Sequence, residues 1–174
     1  MKELKLRYYG DPVLREVCDP IDTFDDELRE FAESMIETMR REQGIGLAAP
    51  QVGVTSRIIV ALQMKDTDDV DAPALALINP RVVSKSSETW VFEEGCLSIP
   101  GVSAPVVRSR EVEIEYEDLD GETKRITDDF IFGRILLHEI DHLDGVLFVD
   151  YLSSAQRSLV KSRLKKISHA KHLF

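Results

Sequence analysis

Residues 137–142, which read Leu-His-Glu-Ile-Asp-His, constrain the fold and the chemistry of the chain more than any other segment. In a helix, His138 and His142 lie one turn apart on the same face, where two imidazoles can bind one metal ion. Glu139 then lies beside that ion, close enough to exchange a proton with a bound water molecule. This H-E-x-x-H pattern is typical of zinc hydrolases. A helix whose histidines only form structural hydrogen bonds is the alternative.

Length and composition indicate one ordinary globular domain that spans residues 1–174. Of the 174 residues, 43% are hydrophobic and 31% are charged, and a chain of this length buries about two-thirds of its unfolded surface. No apolar run approaches the roughly 20 residues of a membrane helix. Residues 1–12 have neither a hydrophobic signal core nor transit-peptide character. We therefore expect a cytoplasmic protein with neither a membrane nor DNA as a partner.

The charge of the chain is distributed unevenly. The net charge is -10, yet residues 151–174 contain six Lys or Arg residues and no Asp or Glu. All 32 acidic side chains therefore lie in the first 150 residues. An acidic body with a basic tail indicates an anionic partner for the tail.

Hydrophobic periodicity predicts helices at both ends of the chain and one in between. Apolar residues at helical spacing favour a first helix from Thr23 or Asp25 to about Gln43, ended by Gly44. The metal-binding helix is predicted from near residue 128 to about residue 144. A capping-box pattern at residues 153 and 156 begins a basic C-terminal helix over 153–174.

Alternation of polar and apolar residues and turn residues predict the strands. The extended segments are 57–62, 75–83, 88–92, 112–116 and 123–127, the second broken at Asn79-Pro80 and the last two joined by a turn at Asp120-Gly121. Because most strands precede the metal-binding helix, the fold class is α+β. We expect a compact single domain with mostly antiparallel strands packed around that central helix.

Residues 44–53 form an uncharged segment rich in small residues, Gly-Ile-Gly-Leu-Ala-Ala-Pro-Gln-Val-Gly. It is not a nucleotide-binding loop, because no strand precedes it and no Lys-Ser/Thr follows it. Small residues let a backbone approach a ligand closely, and Gln51 supplies one neutral hydrogen-bonding group. A functional loop and a tight loop packed under a helix explain the segment equally well.

A catalytic site of this kind needs three protein ligands and one open position. A thermolysin-like Glu is excluded, because residues 143–174 contain no Glu, and a metzincin is excluded, because Phe148 stands where its third His is required. Asp150 is a weaker candidate. Cys96 follows Gly95 at the end of the predicted strands and is the better one, although a single buried Cys is usually a small core residue. Cys96 and Cys18 are predicted to be free thiols rather than a disulfide.

Three motifs together make the sequence resemble a peptide deformylase. They are Gly-Ile-Gly-Leu-Ala-Ala-Pro-Gln at 44–51, Glu-Gly-Cys-Leu-Ser at 94–98 and His-Glu-Ile-Asp-His-Leu at 138–143, and they occur in the family's order. The resemblance implies that Cys96, His138 and His142 bind one divalent metal ion. In this family that ion is physiologically Fe²⁺, which Zn²⁺, Ni²⁺ or Co²⁺ can replace, and the soft ligand set suits each of them.

The resemblance also implies the reaction and the roles of further residues. The substrates are N-formylmethionyl nascent peptides, from which the formyl group is hydrolysed to formate, with Glu139 as general base and then acid. The Gln51 amide and the Leu97 backbone N–H stabilise the charge that develops on the formyl oxygen. Ile45 and Gly46 admit the peptide backbone. The methionine pocket is expected to be lined by Phe92, Ile131, Ile135 and His138, with core packing an equally good account of the two isoleucines.

Other features bear on binding beyond the methionine. Leu137 stands just before the first histidine of the motif, where many members of the family have Gln. Ser103 stands where many of them have a substrate-contacting Arg or aromatic residue. Glu94 and Arg108 match an ion pair that braces the cysteine loop. The basic helix is a candidate for docking on ribosomal RNA, and the source is a bacterium or a plastid.

Two other functions fit the metal ligands. A structural metal module would need a fourth ligand, for which Cys18, His169 and His172 are the soft candidates. The second is an endopeptidase, which the H-E-x-x-H pattern also allows.

Overall fold

Seven β-strands and three α-helices make up the computed structural model, which describes residues 3–170. The helices are α1 (Asp26–Arg41), α2 (Ile131–Leu143) and α3 (Ser154–His169). The strands are β1 (Gly46–Ala48), β2 (Ile58–Leu62), β3 (Ala74–Lys85), β4 (Thr89–Gly95), β5 (Ser103–Ser109), β6 (Val112–Glu117) and β7 (Thr123–Asp128).

All strand pairs in the two sheets are antiparallel. The larger sheet has the order β1-β2-β3-β6-β7, and β4 and β5 form a separate two-stranded sheet. Both α1 and α2 contact β2, and every residue of that strand is buried. The α+β class and the packing of antiparallel strands around a central helix are confirmed.

The first helix begins as predicted and ends slightly earlier. The Asp25 carboxylate accepts a hydrogen bond of 3.0 Å from the Leu28 N–H, which caps the first turn. The helix ends at Arg41, and Gln43, not Gly44, adopts the left-handed conformation with φ 57°. Gly44 is required for a different reason, because an added Cβ would lie 2.6 Å from the Leu97 side chain.

The second helix is the centre of the fold. Every residue of α2 except Asp141 is buried, as is typical of a helix surrounded by other elements. The helix begins at Ile131 rather than near Asp128, because the Asp128 carboxylate accepts hydrogen bonds from the N–H groups of Phe130 and Gly133, 2.9 and 2.7 Å long. Asp128 therefore lies outside the helix and caps it.

The predicted break at Asn79 is wrong, since β3 runs through it. Asn79 has φ 48°, and the pairing with β6 shifts register between Ile78 and Arg81, which marks a bulge. The Asn79 amide stabilises this bulge with hydrogen bonds of 2.8 Å to both the N–H and the C=O of Ile21.

Two strands were not predicted. β1 is only three residues long, and its composition is that of a loop. In β5 the alternation is hidden, because Val107 faces solvent whereas the charged Arg108 is buried.

The C-terminal helix begins with the predicted capping box. The Ser153 hydroxyl accepts from the Gln156 N–H at 3.3 Å, and the Gln156 side chain accepts from the Ser153 N–H at 2.9 Å. Leu164 and Ile167 pack in a second hydrophobic cluster with Phe148. The predicted extension of this helix over 171–174 lies outside the described residues. Within residues 3–170, no helix has the length and apolar character needed to cross a membrane.

Candidate metal centre and substrate cleft

Three side chains from two distant segments converge on one point. Helix α2 places His138 and His142 one turn apart, with ring centroids separated by 5.1 Å. Cys96 directly follows β4, and its Sγ lies 3.3 Å from Nε2 of His142. One ligand atom from each of the three residues lies within 4.8 Å of the others. A thiolate and two imidazoles at this spacing fit a divalent transition metal.

No fourth ligand completes this group within residues 3–170. Cys18 is buried in the main core, where its N–H binds the Leu143 carbonyl. His169 is exposed near the end of α3, and the Asp150 carboxylate binds Arg15. The remaining candidate, His172, lies outside the described residues. A three-ligand set leaves room for water or substrate, as in catalytic sites.

A buried carboxylate orients the first histidine. Oε2 of Glu94 lies 3.0 Å from Nδ1 of His138, so Nε2 of that ring is free for a metal ion. Glu94 also accepts hydrogen bonds of 2.5 and 2.9 Å from Arg108 and one of 2.6 Å from Arg134. Burial acts to raise the pKa of Glu94, but the hydrogen bonds from Arg108 and His138 hold that pKa well below its usual range.

Arg108 extends this hydrogen-bond network to helix α2. Its Nη1 atom donates a 2.7 Å hydrogen bond to Oδ2 of Asp141, one residue before His142. Strand β4, strand β5 and helix α2 are therefore joined by one network of charged hydrogen bonds. The sequence suggested the pair of Glu94 and Arg108. It gave no signal for Arg134, whose acceptor is 40 positions away in the chain.

Glu139 lies in an unusual environment next to the group of Cys96, His138 and His142. Its side chain is buried, and Oε2 has no hydrogen-bond partner among the described residues. Burial raises the pKa of Glu139 to about 7, against a lowering effect of His138. A Cβ added at Gly46 would overlap the Glu139 carboxylate and lie 2.9 Å from its Cδ. Gly46 therefore leaves the space that this carboxylate occupies.

The Gln51 amide is fixed at both ends. Its Oε1 accepts a 2.8 Å hydrogen bond from the Ala48 N–H, and its Nε2 donates to the Ser98 hydroxyl at 3.2 Å. The same Nε2 lies 3.4 Å from Sγ of Cys96. The NH₂ group consequently faces Cys96. Sequence reasoning gave Ser98 no role, because nothing in a single sequence shows that its buried hydroxyl meets an amide 47 positions away.

A cavity of about 830 Å³ opens beside these groups. One wall is apolar and includes Phe92, Ile131 and Ile135. The other residues with predicted roles that line the cavity are Ile45, Gly46, Gln51, Cys96, Leu97, His138 and Glu139. His142 is buried and does not line the cavity.

This α+β fold, with a Cys-His-His group that could hold a metal ion and a buried carboxylate beside a partly apolar cleft, is that of a metal-dependent hydrolase. The chain belongs to the peptide deformylase family, since the family model described as polypeptide deformylase matches residues 3–158. It is accordingly a hydrolase that removes the N-formyl group from nascent peptides.

Individual relatives agree with this assignment. The chain is 48% identical to a peptide deformylase of Picosynechococcus over 165 residues, which are 92% of this chain and 86% of the relative. It is 44% identical to that of Rhizobium meliloti over 156 residues, 90% and 88% of the two chains. Among solved structures, a plant peptide deformylase aligns with a TM-score of 0.89 at 36% identity, covering 95% of this chain and 89% of that one. The Legionella pneumophila enzyme aligns with a TM-score of 0.86 at 37% identity, covering 97% and 96%.

Proposed function

We propose that Cys96, His138 and His142 bind the catalytic divalent ion for deformylation and that Glu139 is the general base. The observation that carries this proposal is the convergence of the three ligand atoms beside a buried carboxylate oxygen without a hydrogen-bond partner among the described residues. Bound at these ligands, the ion supplies a water molecule activated for attack near neutral pH.

Glu139 accepts the proton of the attacking water and then donates it to the leaving amine. The C–N bond of the formamide breaks, and the products are formate and a free N-terminal amine. General acid–base catalysis of this kind contributes roughly 10²–10⁴ in rate. Gly46 leaves the space that the carboxylate needs beside the proposed ligands.

Gln51 and Leu97 stabilise the negative charge that develops on the formyl oxygen. The Gln51 NH₂ group is aimed at the ligand cluster by the bond between Oε1 and Ala48. Leu97 lines the cavity and directly follows Cys96 in the chain, which supports a role for its backbone N–H. Loss of one such donor typically costs about 10²–10³ in rate.

The apolar part of the cleft binds the methionine side chain. Phe92, Ile131 and Ile135 line one wall, and burying a side chain of this size contributes about 1.5–3 kcal/mol. Ile45 and Gly46 also line the cavity, which supports a role for this segment in binding the peptide backbone.

We propose Fe²⁺ as the resident ion of this metal-dependent family. Thiolate and imidazole also accept Zn²⁺, Ni²⁺ and Co²⁺, so the ion in a sample depends on its handling. Metal analysis of protein purified without oxygen tests this proposal. Zinc as the predominant ion in active protein prepared in that way would contradict it.

A peptide assay tests the proposed mechanism. Formyl-Met-Ala-Ser should yield equal amounts of formate and free amine, whereas an unformylated peptide with the same internal bonds should stay intact. Cleavage of internal bonds would instead support an endopeptidase. Glu139→Gln should keep the metal ion and lose turnover, and retained turnover would remove Glu139 as the base. Metal binding without any turnover in the unsubstituted enzyme would support a structural metal module.

We further propose that residues 1–174 form a single catalytic domain that acts in the cytoplasm of a bacterium and docks on the ribosome through α3. Five basic side chains of this helix are exposed, Arg157, Lys161, Arg163, Lys165 and Lys166. Truncation would remove the buried Leu164 and Ile167, so a charge change is the better test. Replacing Lys161, Lys165 and Lys166 by Gln should reduce co-sedimentation with ribosomes at physiological salt, and unchanged binding would contradict docking.

A further inference from the structure

The apolar wall of the cavity contains one buried guanidinium group. Arg134 is the only Lys or Arg among the described residues that line the cavity, and on helix α2 it lies beside Ile131 and Ile135. It is 4% exposed. A buried charged group needs hydrogen-bond partners, and an apolar side chain that fills the pocket supplies none. Binding of the methionine therefore does not by itself explain an arginine in this wall.

Three acceptors from other elements hold the guanidinium of Arg134. Its Nη2 atom donates hydrogen bonds of 2.9 and 3.1 Å to the carbonyl groups of Trp90 and Val106, neither of which lines the cavity. Its Nη1 atom donates a hydrogen bond of 2.6 Å to Oε1 of Glu94. The guanidinium carbon also lies 4.6 Å from the centre of the Trp90 ring. One side chain thus joins the wall of the pocket to the Glu94 carboxylate.

The Glu94 carboxylate continues this connection to a proposed metal ligand. Its other oxygen, Oε2, lies 3.0 Å from Nδ1 of His138. Arg134 and the imidazole are therefore joined by two successive hydrogen bonds through one carboxylate. Hydrogen bonds between charged groups strengthen when water is excluded, because the local dielectric constant falls. A side chain that fills the pocket removes water from beside Arg134 and so strengthens its hold on the carboxylate that orients His138.

We propose that Arg134 is a positioning residue that links occupation of the methionine pocket to the orientation of His138. This inference rests on the proposed roles of the pocket and of His138 as a metal ligand. Part of the free energy gained by burying the methionine side chain then keeps the imidazole in place during the reaction. Binding energy used in this way raises kcat rather than lowering KM.

The first test compares two substrates that differ in one side chain. They are the C-terminal amides of formyl-Met-Ala-Ser and formyl-Ala-Ala-Ser, and the alanine leaves most of the pocket empty. Single-turnover rates at saturation exclude product release from the comparison. In the unsubstituted enzyme, the alanine peptide should have a kcat/KM about 10–100-fold lower. Its rate at saturation should be at least about fivefold lower, because remote binding energy is used in the transition state.

Two variants of Arg134 test the link itself. Arg134→Met keeps an unbranched side chain in the wall and removes the hydrogen bond to Glu94. The rate at saturation should then fall for the methionine peptide much more than for the alanine peptide, so that the two differ by less than about twofold. Arg134→Lys keeps the charge but lacks the planar fork that binds several acceptors at once, and it should give an intermediate ratio.

Arg110→Met is the matched control for these variants. The Arg110 guanidinium carbon lies 5.5 Å from the centre of the same Trp90 ring, and Arg110 does not line the cavity. The substitution removes the same charge from the same aromatic group but leaves the hydrogen bonds of Glu94 intact. It should leave the ratio of the two peptides unchanged.

Metal affinity provides a readout that does not depend on turnover. The probe is desaminomethionyl-Ala-Ser amide, which carries the methionine side chain but has no formamide to bind the ion. Propanoyl-Ala-Ser amide is the same compound without that side chain. Competition with a chromophoric chelator should show about fivefold tighter metal binding in the presence of the saturating probe, because coupling between two sites is reciprocal. The propanoyl compound should cause no such increase, and neither should the probe in Arg134→Met.

Three outcomes would overturn the proposal. They are an effect of the methionine side chain that is confined to KM, an equal loss of rate for both peptides in Arg134→Met, and a metal affinity that the bound probe leaves unchanged. An effect of Arg110→Met as large as that of Arg134→Met would also contradict it. In each case the unsubstituted enzyme would still deformylate the methionine peptide if the proposed mechanism is right. Failure to deformylate either peptide would instead count against that mechanism.

Discussion

Oε2 of Glu94 lies 3.0 Å from Nδ1 of His138, and two arginines bind the same carboxylate. The histidine is thus oriented by a group that stays ionised because its pKa is held below the usual range. Glu94→Gln would leave the buried guanidinium of Arg134 without its carboxylate partner and that of Arg108 with Asp141 alone. Loss of such an outer partner typically lowers metal affinity about 10–100-fold.

We expect that loss in Glu94→Gln, measured by competition with a chromophoric chelator. Glu88→Gln is a suitable control, because Glu88 is exposed in the turn before β4. Equal metal affinity of the two variants would show that Glu94 does not support His138.

Gly46→Ala tests the contact with the proposed base. The new methyl group would overlap the Glu139 carboxylate and displace it. We expect kcat to fall by about 10²-fold or more, since general base catalysis depends on position, while the protein still binds its metal ion. At Gly95, by contrast, a Cβ would meet only the Val102 carbonyl at 3.6 Å, so Gly95→Ala should cost much less. Similar losses in both variants would contradict this steric explanation.

Ser98→Ala tests the orientation of Gln51. The Ser98 hydroxyl, which is fully buried, binds Nε2 of Gln51 at 3.2 Å. Removing one hydrogen bond of about 1 kcal/mol should lower kcat roughly fivefold with little change in KM. Gln51→Ala should cost about 10²–10³-fold, because the donor itself is lost. A rise in KM at constant kcat would show that Ser98 contributes to substrate binding instead.

The two cysteines should react very differently with thiol reagents. Cys18 is 3% exposed, and burial raises its pKa to about 11. Cys96 is partly exposed on the cavity. In metal-free native protein, alkylation near pH 8 should modify Cys96 alone, and Cys18 should react only after unfolding. Peptide mass spectrometry can locate the label, and rapid labelling of Cys18 would contradict its burial.

Asp150 should make the free energy of unfolding depend on pH in the acid range. Its carboxylate accepts hydrogen bonds of 2.5 and 3.1 Å from Arg15, and these outweigh burial and lower its pKa. A carboxyl group whose pKa is lowered by folding stabilises the protein at pH values above its unfolded-state pKa of about 3.9. This stabilisation is lost as the pH falls through the pKa of the folded state. Asp150→Asn should therefore reduce the free energy of unfolding at pH 6, and its difference from the unsubstituted protein should shrink below about pH 4. Urea titrations at several pH values would measure this, and a pH-independent difference would contradict it.

Features encoded by short local patterns were predictable from the sequence. The helix with His138 and His142 follows from residue spacing, and the Ser153 capping box follows from two residues three positions apart. Cys96 was reached by excluding other third ligands and by the resemblance across three motifs, because no local rule connects it to α2. Features that depend on distant partners were not visible. Arg108 of β5 and Arg134 of α2 are buried where both bind Glu94 of β4, and the inward-facing Arg108 hid the alternation of strand β5.

Strand β4 carries neighbouring residues with different tasks, since Phe92 and Glu94 face inward and Glu93 faces outward. Successive side chains of a strand alternate between its faces, so a shift of one position exchanges them. Deleting a single residue between Phe92 and Cys96 would exchange the inward and outward positions on one side of the deletion and move the thiol away from the imidazoles. The spacing of this segment is therefore as strictly fixed as its composition.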